Sequence, residues 1–365
     1  TLTSSTTAGT ATVTGTLEGD ALANDATVEF TPGAASTATS TITASPTSIT
    51  ADGSSTSTIT VQLKDANGND LTSSGGTVAL STDAGSLSGV TDNGDGSYTA
   101  TLTASNTVET ATVTGTLDGD ALADDATVEF TVGSASLTQS TITASPTSIT
   151  ADGSSTSTIT VQLKDANSNN LTESGGTVAL STTAGGLSGV TDNGDGTYTA
   201  TLTSSTTAGT ATVTGTLDGD ALTDDATVEF TPGAASTATS TITASPTSIT
   251  ADGSSTSTIT VQLKDANSNN LTESGGTVAL SSTAGVLSAV TNNNDGSYTA
   301  TLTSSNTVET ATVTGTLEGD ALADDASVDF TVGSASLTES TITASPTSIT
   351  ADGSSTSTIT VQLKD

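Results

Sequence analysis

The sequence predicts an all-β protein made of small two-sheet sandwiches joined in series. Three observations predict it. Apolar residues alternate with Thr and Ser at period two, Gly- and Asp-rich turns punctuate the alternation, and the whole pattern returns every 100 residues. Ser-Pro-Thr-Ser-Ile-Thr-Ala-Asp-Gly starts at Ser45, Ser145, Ser245 and Ser345, with Lys64, Lys164, Lys264 and Lys364 in the same register. A repeat of that length exceeds the roughly 20–50 residues of solenoid units and matches a whole domain. A second period overlies the first. Ala8-Gly9 returns at Ala208-Gly209, while Val108-Glu109 returns at Val308-Glu309, so the repeating unit is a pair of modules.

Within one module the elements follow in order. Ile42 and Ala44 open a first strand, which Pro46 interrupts as a break or an edge switch would. Ala51-Asp52-Gly53 is a turn, and Ile59, Val61 and Leu63 mark a second strand, followed by the turn residues Asn67-Gly68-Asn69-Asp70. Val78 and Leu80 give a third strand, and Leu87 and Val90 a short fourth. Asp92-Asn93-Gly94-Asp95-Gly96 reads as a hairpin loop into a fifth strand through Tyr98, Ala100 and Leu102. Ala111, Val113 and Leu117 mark a sixth, and Val128 and Phe130 a seventh. Thr occupies most intervening positions, where its β-branch favours strand over helix. About seven short strands in some 100 residues describe an immunoglobulin-like β-sandwich. Tyr98 and Phe130, the aromatics of the first complete module, are expected in its core.

The expected domain organisation is three complete modules at 34–133, 134–233 and 234–333, flanked by the C-terminal strands of one module at 1–33 and the N-terminal strands of another at 334–365. Thr1 aligns with Thr101 and Asp365 with Asp65, so the sequence reads as a slice of a longer array. The junctions alternate between Thr31-Pro32-Gly33 and Thr131-Val132-Gly133. Linkers this short predict modules stacked end to end as an elongated rod, each adding roughly 35–40 Å at ~3.3 Å per strand residue.

Composition bounds function. Of 365 residues, 39 are acidic and 4 are lysine, giving a formal net charge of −35. Such a chain lacks the cations that neutralise phosphates, which excludes nucleic acid and anionic membranes as partners. Uniform acidity suits salty surroundings, where charge repulsion is screened within ~8 Å or less. There is no Cys and no His, so disulfides, thiolate metal sites and His-based triads cannot be assembled. No apolar run approaches the ~20 residues needed to span a bilayer. An enzyme is not expected: carboxylate pairs alone remain, and an active site copied every 100 residues on a sandwich without a cleft would be unusual.

Several stretches together resemble a known family. Ser140-Thr141-Ile142-Thr143-Ala144-Ser145-Pro146, Asp192-Asn193-Gly194-Asp195-Gly196-Thr197-Tyr198 and Ala211-Thr212-Val213-Thr214-Gly215 are similar to the bacterial Ig-like domains, group 1, of the invasin and intimin type. The resemblance covers every module and implies a rod-like spacer in an extracellular bacterial cell-surface adhesin or fibre, with receptor binding by other domains. Neighbouring modules of the same chain are then the first partners. The doubled period admits a second reading, in which modules bind lateral copies or a glycan to form a filament, biofilm or matrix.

Calcium is the one ligand the residues suggest, and no cofactor is otherwise required. Asp92 and Asp95 lie in one acidic loop, and Asp118, Asp120, Asp124 and Asp125 lie in another, read as a loop before the last strand; equivalents recur one period on. Hard oxygen ligands on turns suit Ca²⁺, which predicts that a chelator lowers the melting temperature. Neither loop matches an EF-hand or a glycine-rich nonapeptide, and turn chemistry alone also explains Asp and Asn there. Asn292 stands where the earlier modules have Asp92 and Asp192. Lys64 is read as a solvated strand-end residue beside Asp65 rather than as half of an isopeptide crosslink, and the Thr12, Thr14, Thr16 row as the solvent face of an ordinary strand.

Overall fold

The computed structural model describes residues 1–365, and every regular element in it is a β-strand. In the first complete module the strands are β1 (Thr41–Ser45), β2 (Ser48–Thr50), β3 (Thr56–Gln62), β4 (Val78–Thr82), β5 (Ser86–Leu87), β6 (Thr91–Asp92), β7 (Ser97–Thr103), β8 (Glu109–Leu117) and β9 (Asp120–Thr131). One sheet runs β1-β3-β7, with the short β5 and β6 both on the far side of β7. The other runs β2-β9-β8-β4, with β2 parallel to β9 and the remaining pairs antiparallel. The two later modules repeat this arrangement.

Alternation builds the core. Ile42, Ile59, Val61, Tyr98 and Leu102 point inward from the first sheet and meet Ile49, Val78, Val113, Val128 and Phe130 from the second. Tyr98 and Phe130 are 2% and 0% exposed, as expected of the two aromatics. The Tyr98 hydroxyl donates to the Gly76 carbonyl at 2.7 Å, which satisfies its polar end while the ring stays buried. Each module carries its own cluster, so the chain has three separate cores.

Two elements differ from the sequence reading. The first strand is divided: at Pro46 the chain leaves the first sheet and resumes as β2 in the second, because a residue without an N–H cannot continue the ladder. The last strand is much longer than expected. It begins at Asp120, and residues 118–125 are a two-residue hairpin turn plus the first half of β9 rather than a loop. Asp118 at φ 52° and Gly119 at φ 96° give the paired left-handed geometry that a tight hairpin requires. Acidic density disguised this strand, since Asp is poor in strands unless its side chain has work at an edge.

Candidate functional site at the module junction

The junction is the place where several polar side chains converge, and it starts from one buried carboxylate. Asp65, just past β3, is 3% exposed; its equivalents Asp165 and Asp265 are each 2% exposed. In the middle module, Asp165 Oδ1 accepts the backbone N–H groups of Asn167 and Asn169, both at 2.9 Å. Its Oδ2 accepts the Asn169 side-chain amide at 2.9 Å and the N–H of Gly133 in the linker at 3.0 Å. The local sequence dictates this cage, because an Asp followed by Asn at the second and fourth positions closes a turn on its own carboxylate. Hydrogen bonding from the Asn69 side chain and then from the Gly33 N–H lowers the Asp65 carboxyl to about 2, against the opposing effect of burial. For Asp165 and Asp265 burial is the larger influence and pushes upward, yet the Asn side chains, the linker N–H and the turn N–H groups together keep both carboxyls below their usual value.

The same turn reaches back to the preceding module. Asn167 Nδ2 donates to the Ala51 carbonyl at 3.1 Å, and Asn267 Nδ2 does the same to Ala151. Asn169 Nδ2 donates to the Asn106 carbonyl, and Asn269 Nδ2 to the Thr206 carbonyl, both at 2.9 Å. The linker itself has almost no free length. The Thr131 carbonyl accepts the Ala51 N–H of its own module at 2.8 Å, and Gly133 is already bonded to Asp165. Val132 alone lies between the two attachments, and Pro232 holds the same place one junction on.

The acidic residues proposed for calcium are spent separately. Asp92 Oδ1 accepts the Gly94 N–H at 2.9 Å, and Asp95 Oδ1 accepts the Ser97 N–H at 3.0 Å, closing the hairpin between β6 and β7. Asn292 makes the same turn bond to the Asn294 N–H at 2.9 Å, so the turn does not need a charge at that position. Asp118 Oδ1 accepts the Thr77 N–H at 2.8 Å. Asp124 Oδ2 accepts the Ile42 N–H at 2.8 Å, on the open edge of β1. Asp125 and Asp120 face solvent along β9. No group of three or more acidic side chains converges among them. Lys64 pairs with Asp70 at 2.5 Å rather than with Asp65.

The junction residues were read from the sequence only as a turn. A signal was nevertheless present in the repeats themselves. Asp65, Asn67 and Asn69 recur unchanged as Asp165, Asn167, Asn169 and as Asp265, Asn267, Asn269, while position 68 changes from Gly to Ser and position 70 from Asp to Asn.

Comparison with known proteins agrees with the fold and the repeat. The family model for invasin, domain 3, matches residues 36–133, 136–233 and 236–333. The chain belongs to this family of bacterial Ig-like domains, as the motifs at Ser140, Asp192 and Ala211 suggested. Among solved structures it is similar to FdeC, an Escherichia coli adhesin, at 28% identity and TM-score 0.48, covering 83% of this chain and 100% of that one. It is also similar to invasin, a bacterial integrin-binding protein, at 30% identity and TM-score 0.47, covering 84% of this chain and 61% of that one. Yersinia pseudotuberculosis InvD matches at 24% identity and TM-score 0.45, covering 82% of this chain and 99% of that one.

Proposed function

We propose that this chain is a non-enzymatic structural segment of an extracellular bacterial surface adhesin or fibre, in which stacked modules provide reach. The observation that carries the reading is the junction, where one residue separates the attachments of successive modules and a buried carboxylate fixes the linker to the incoming one. A tether of that length cannot behave as a flexible coil, so repetition adds length rather than slack. Membership of the invasin domain 3 family and similarity to a protein described as an adhesin support a place on the cell surface. The concavities at the junctions, such as that lined by Pro232 and Leu271, are open grooves rather than enclosed clefts suited to a substrate.

A second reading, lateral association of copies, is favoured by one feature of the charge distribution. The outward rows of the first sheet carry hydroxyls and no carboxylate, as in Thr43, Thr60, Thr99 and Thr91, which lie side by side across four strands. Negative-stain imaging of the whole chain separates the readings. Isolated thin rods of roughly 130–145 Å, at ~3.3 Å per strand residue, support the stalk. Ordered bundles support lateral association, and compact or freely jointed particles overturn the stalk.

A further inference from the structure

We infer that the two alternating module types encode two alternating kinds of junction, one locked and one hinged, so that the array bends once per module pair. The inference rests on the stacked reading above and assigns a mechanical meaning to the doubled period.

The junctions leading into modules 34–133 and 234–333 share a set of restraints. The Asn69 side chain grips the preceding module with both ends of its amide: Nδ2 donates to the Thr6 carbonyl at 2.9 Å, and Oδ1 accepts the Ala8 N–H at 2.9 Å. Asn269 repeats this on the Thr206 carbonyl and the Ala208 N–H, at 2.9 and 2.8 Å. Gly9 and Gly209, at φ +152° and +153°, shape the loop that presents this N–H, a conformation open to glycine. The linker residue is Pro32 or Pro232, whose ring fixes φ. Ala35 and Ala235 form a bridge with Asp65 and Asp265, and the hydroxyls of Thr39 and Thr239 donate to the carbonyls of those same Asp residues at 2.7 and 2.6 Å.

The junction leading into module 134–233 lacks each of these. Asn169 makes one bond across, to the Asn106 carbonyl, and the loop that faces it carries Val108 and Glu109 in place of Ala and Gly. Val132 replaces Pro, and Gln139 replaces Thr and turns to Ser168. Val132 packs against the core of the incoming module. An apolar contact is non-directional and tolerates rocking, whereas a two-ended amide fixes both position and plane. The Asn167–Ala51 bond has its counterpart in Asn267–Ala151, so the hinged junction keeps two side-chain hydrogen bonds across it where the locked one into module 234–333 has three. The differences all point the same way, so one pair of modules moves as a unit and the next pair hinges against it.

The absence of cysteine makes the test clean on the full chain, because introduced thiols are the only ones present. Thr58, Thr158 and Thr258 occupy the same exposed strand position in successive modules. Spin labels on Thr58→Cys with Thr158→Cys span the hinged junction, and labels on Thr158→Cys with Thr258→Cys span the locked one. The expected result is a 58–158 distance distribution about twofold broader than the 158–258 one, because the ring constraint and one amide bond are both missing. N269A should broaden the 158–258 distribution to the width of the other. V132P combined with V108A and E109G should narrow the 58–158 distribution. Equal widths, or no response to N269A in a chain of unchanged melting temperature, overturn the inference while leaving stacked modules intact. Distributions that spread over the full range at both junctions overturn the stacked reading itself.

Discussion

Replacing Asp165 by Asn tests whether the buried carboxylate organises the junction, because it removes charge and acceptor capacity with almost no change in volume. Of the two carboxylate oxygens, Oδ1 can remain a carbonyl and keep the Asn167 and Asn169 N–H groups. The other position becomes an NH₂ facing two donors, the Gly133 N–H and the Asn169 side-chain amide. Two charge-assisted hydrogen bonds are lost, and donors then face one another. Each such bond is worth about 1.5–3 kcal/mol, and solvent reaching the junction reduces the total, so the expected cost is about 1–3 kcal/mol. For a domain of this size that lowers the melting temperature by about 5–20 °C. Since each module has its own core, only the middle one should respond. Calorimetry of the full chain should therefore show about a third of the unfolding enthalpy moving to lower temperature. Asp225→Asn, on the exposed face of the same module, is the control and should stay within about 0.5 kcal/mol of the parent. An unsplit, unmoved endotherm for D165N would refute the role given to this carboxylate.

Further outcomes follow from the same contacts. The Asp65 carboxyl is held at about 2 in the folded chain, below the ~3.9 of an unfolded Asp, so its stabilisation is complete above the higher value and is lost as pH falls toward the lower. Melting temperature should accordingly fall between about pH 4 and pH 2, less steeply in a chain carrying Asn at positions 65, 165 and 265. Asp224→Ala leaves the Ile142 N–H at the sheet edge without its 2.8 Å acceptor, and urea unfolding should register about 1–2 kcal/mol of destabilisation, which Asp225→Ala should not reproduce. A chelator should leave the melting temperature unchanged because the carboxylates do not converge, while added salt should raise it by screening a charge of −35; a drop with chelator would restore calcium.

How much was legible in the sequence depended on which physical signal each element gave. Strands such as β3 and β7 bury every second residue, so Ile59, Val61, Tyr98 and Leu102 announce them directly. The first half of β9 was hidden because Asp120, Asp124 and Asp125 read as loop residues, and only Leu122 turns inward there. Periodicity was equally silent about β1 and β2 lying in different sheets, since Pro46 signals a break but not where the chain resumes. The junction was invisible for a different reason. Its residues act through side-chain bonds to backbone groups that lie 32, 63 and 116 positions away, and no local pattern encodes such partners. The repeats offered an indirect route, because Asp65, Asn67 and Asn69 recur unchanged while positions 68 and 70 change.

That distinction changes what the acidity means. A net charge of −35 suggests a chain selected mainly for solubility, with carboxylates scattered over the surface. Many of them instead close the structure. In each complete module one Asp caps the turn after β2, as Asp52 does by accepting the Ser55 and Ser54 N–H groups, which hold its carboxyl far below the usual range. Another Asp fixes the linker, and another covers the open edge of β1. A carboxylate accepting backbone N–H groups stays ionised to low pH and needs no cation. In a chain with four lysines this is how acidic residues can be structural without ion pairs, and the one ion pair present, Lys64 with Asp70, is replaced by Lys–Asn at both later modules. The fold therefore depends on carboxylate-to-backbone bonds rather than on charge pairing, so salt should act on it chiefly by screening repulsion and not by dissolving its contacts.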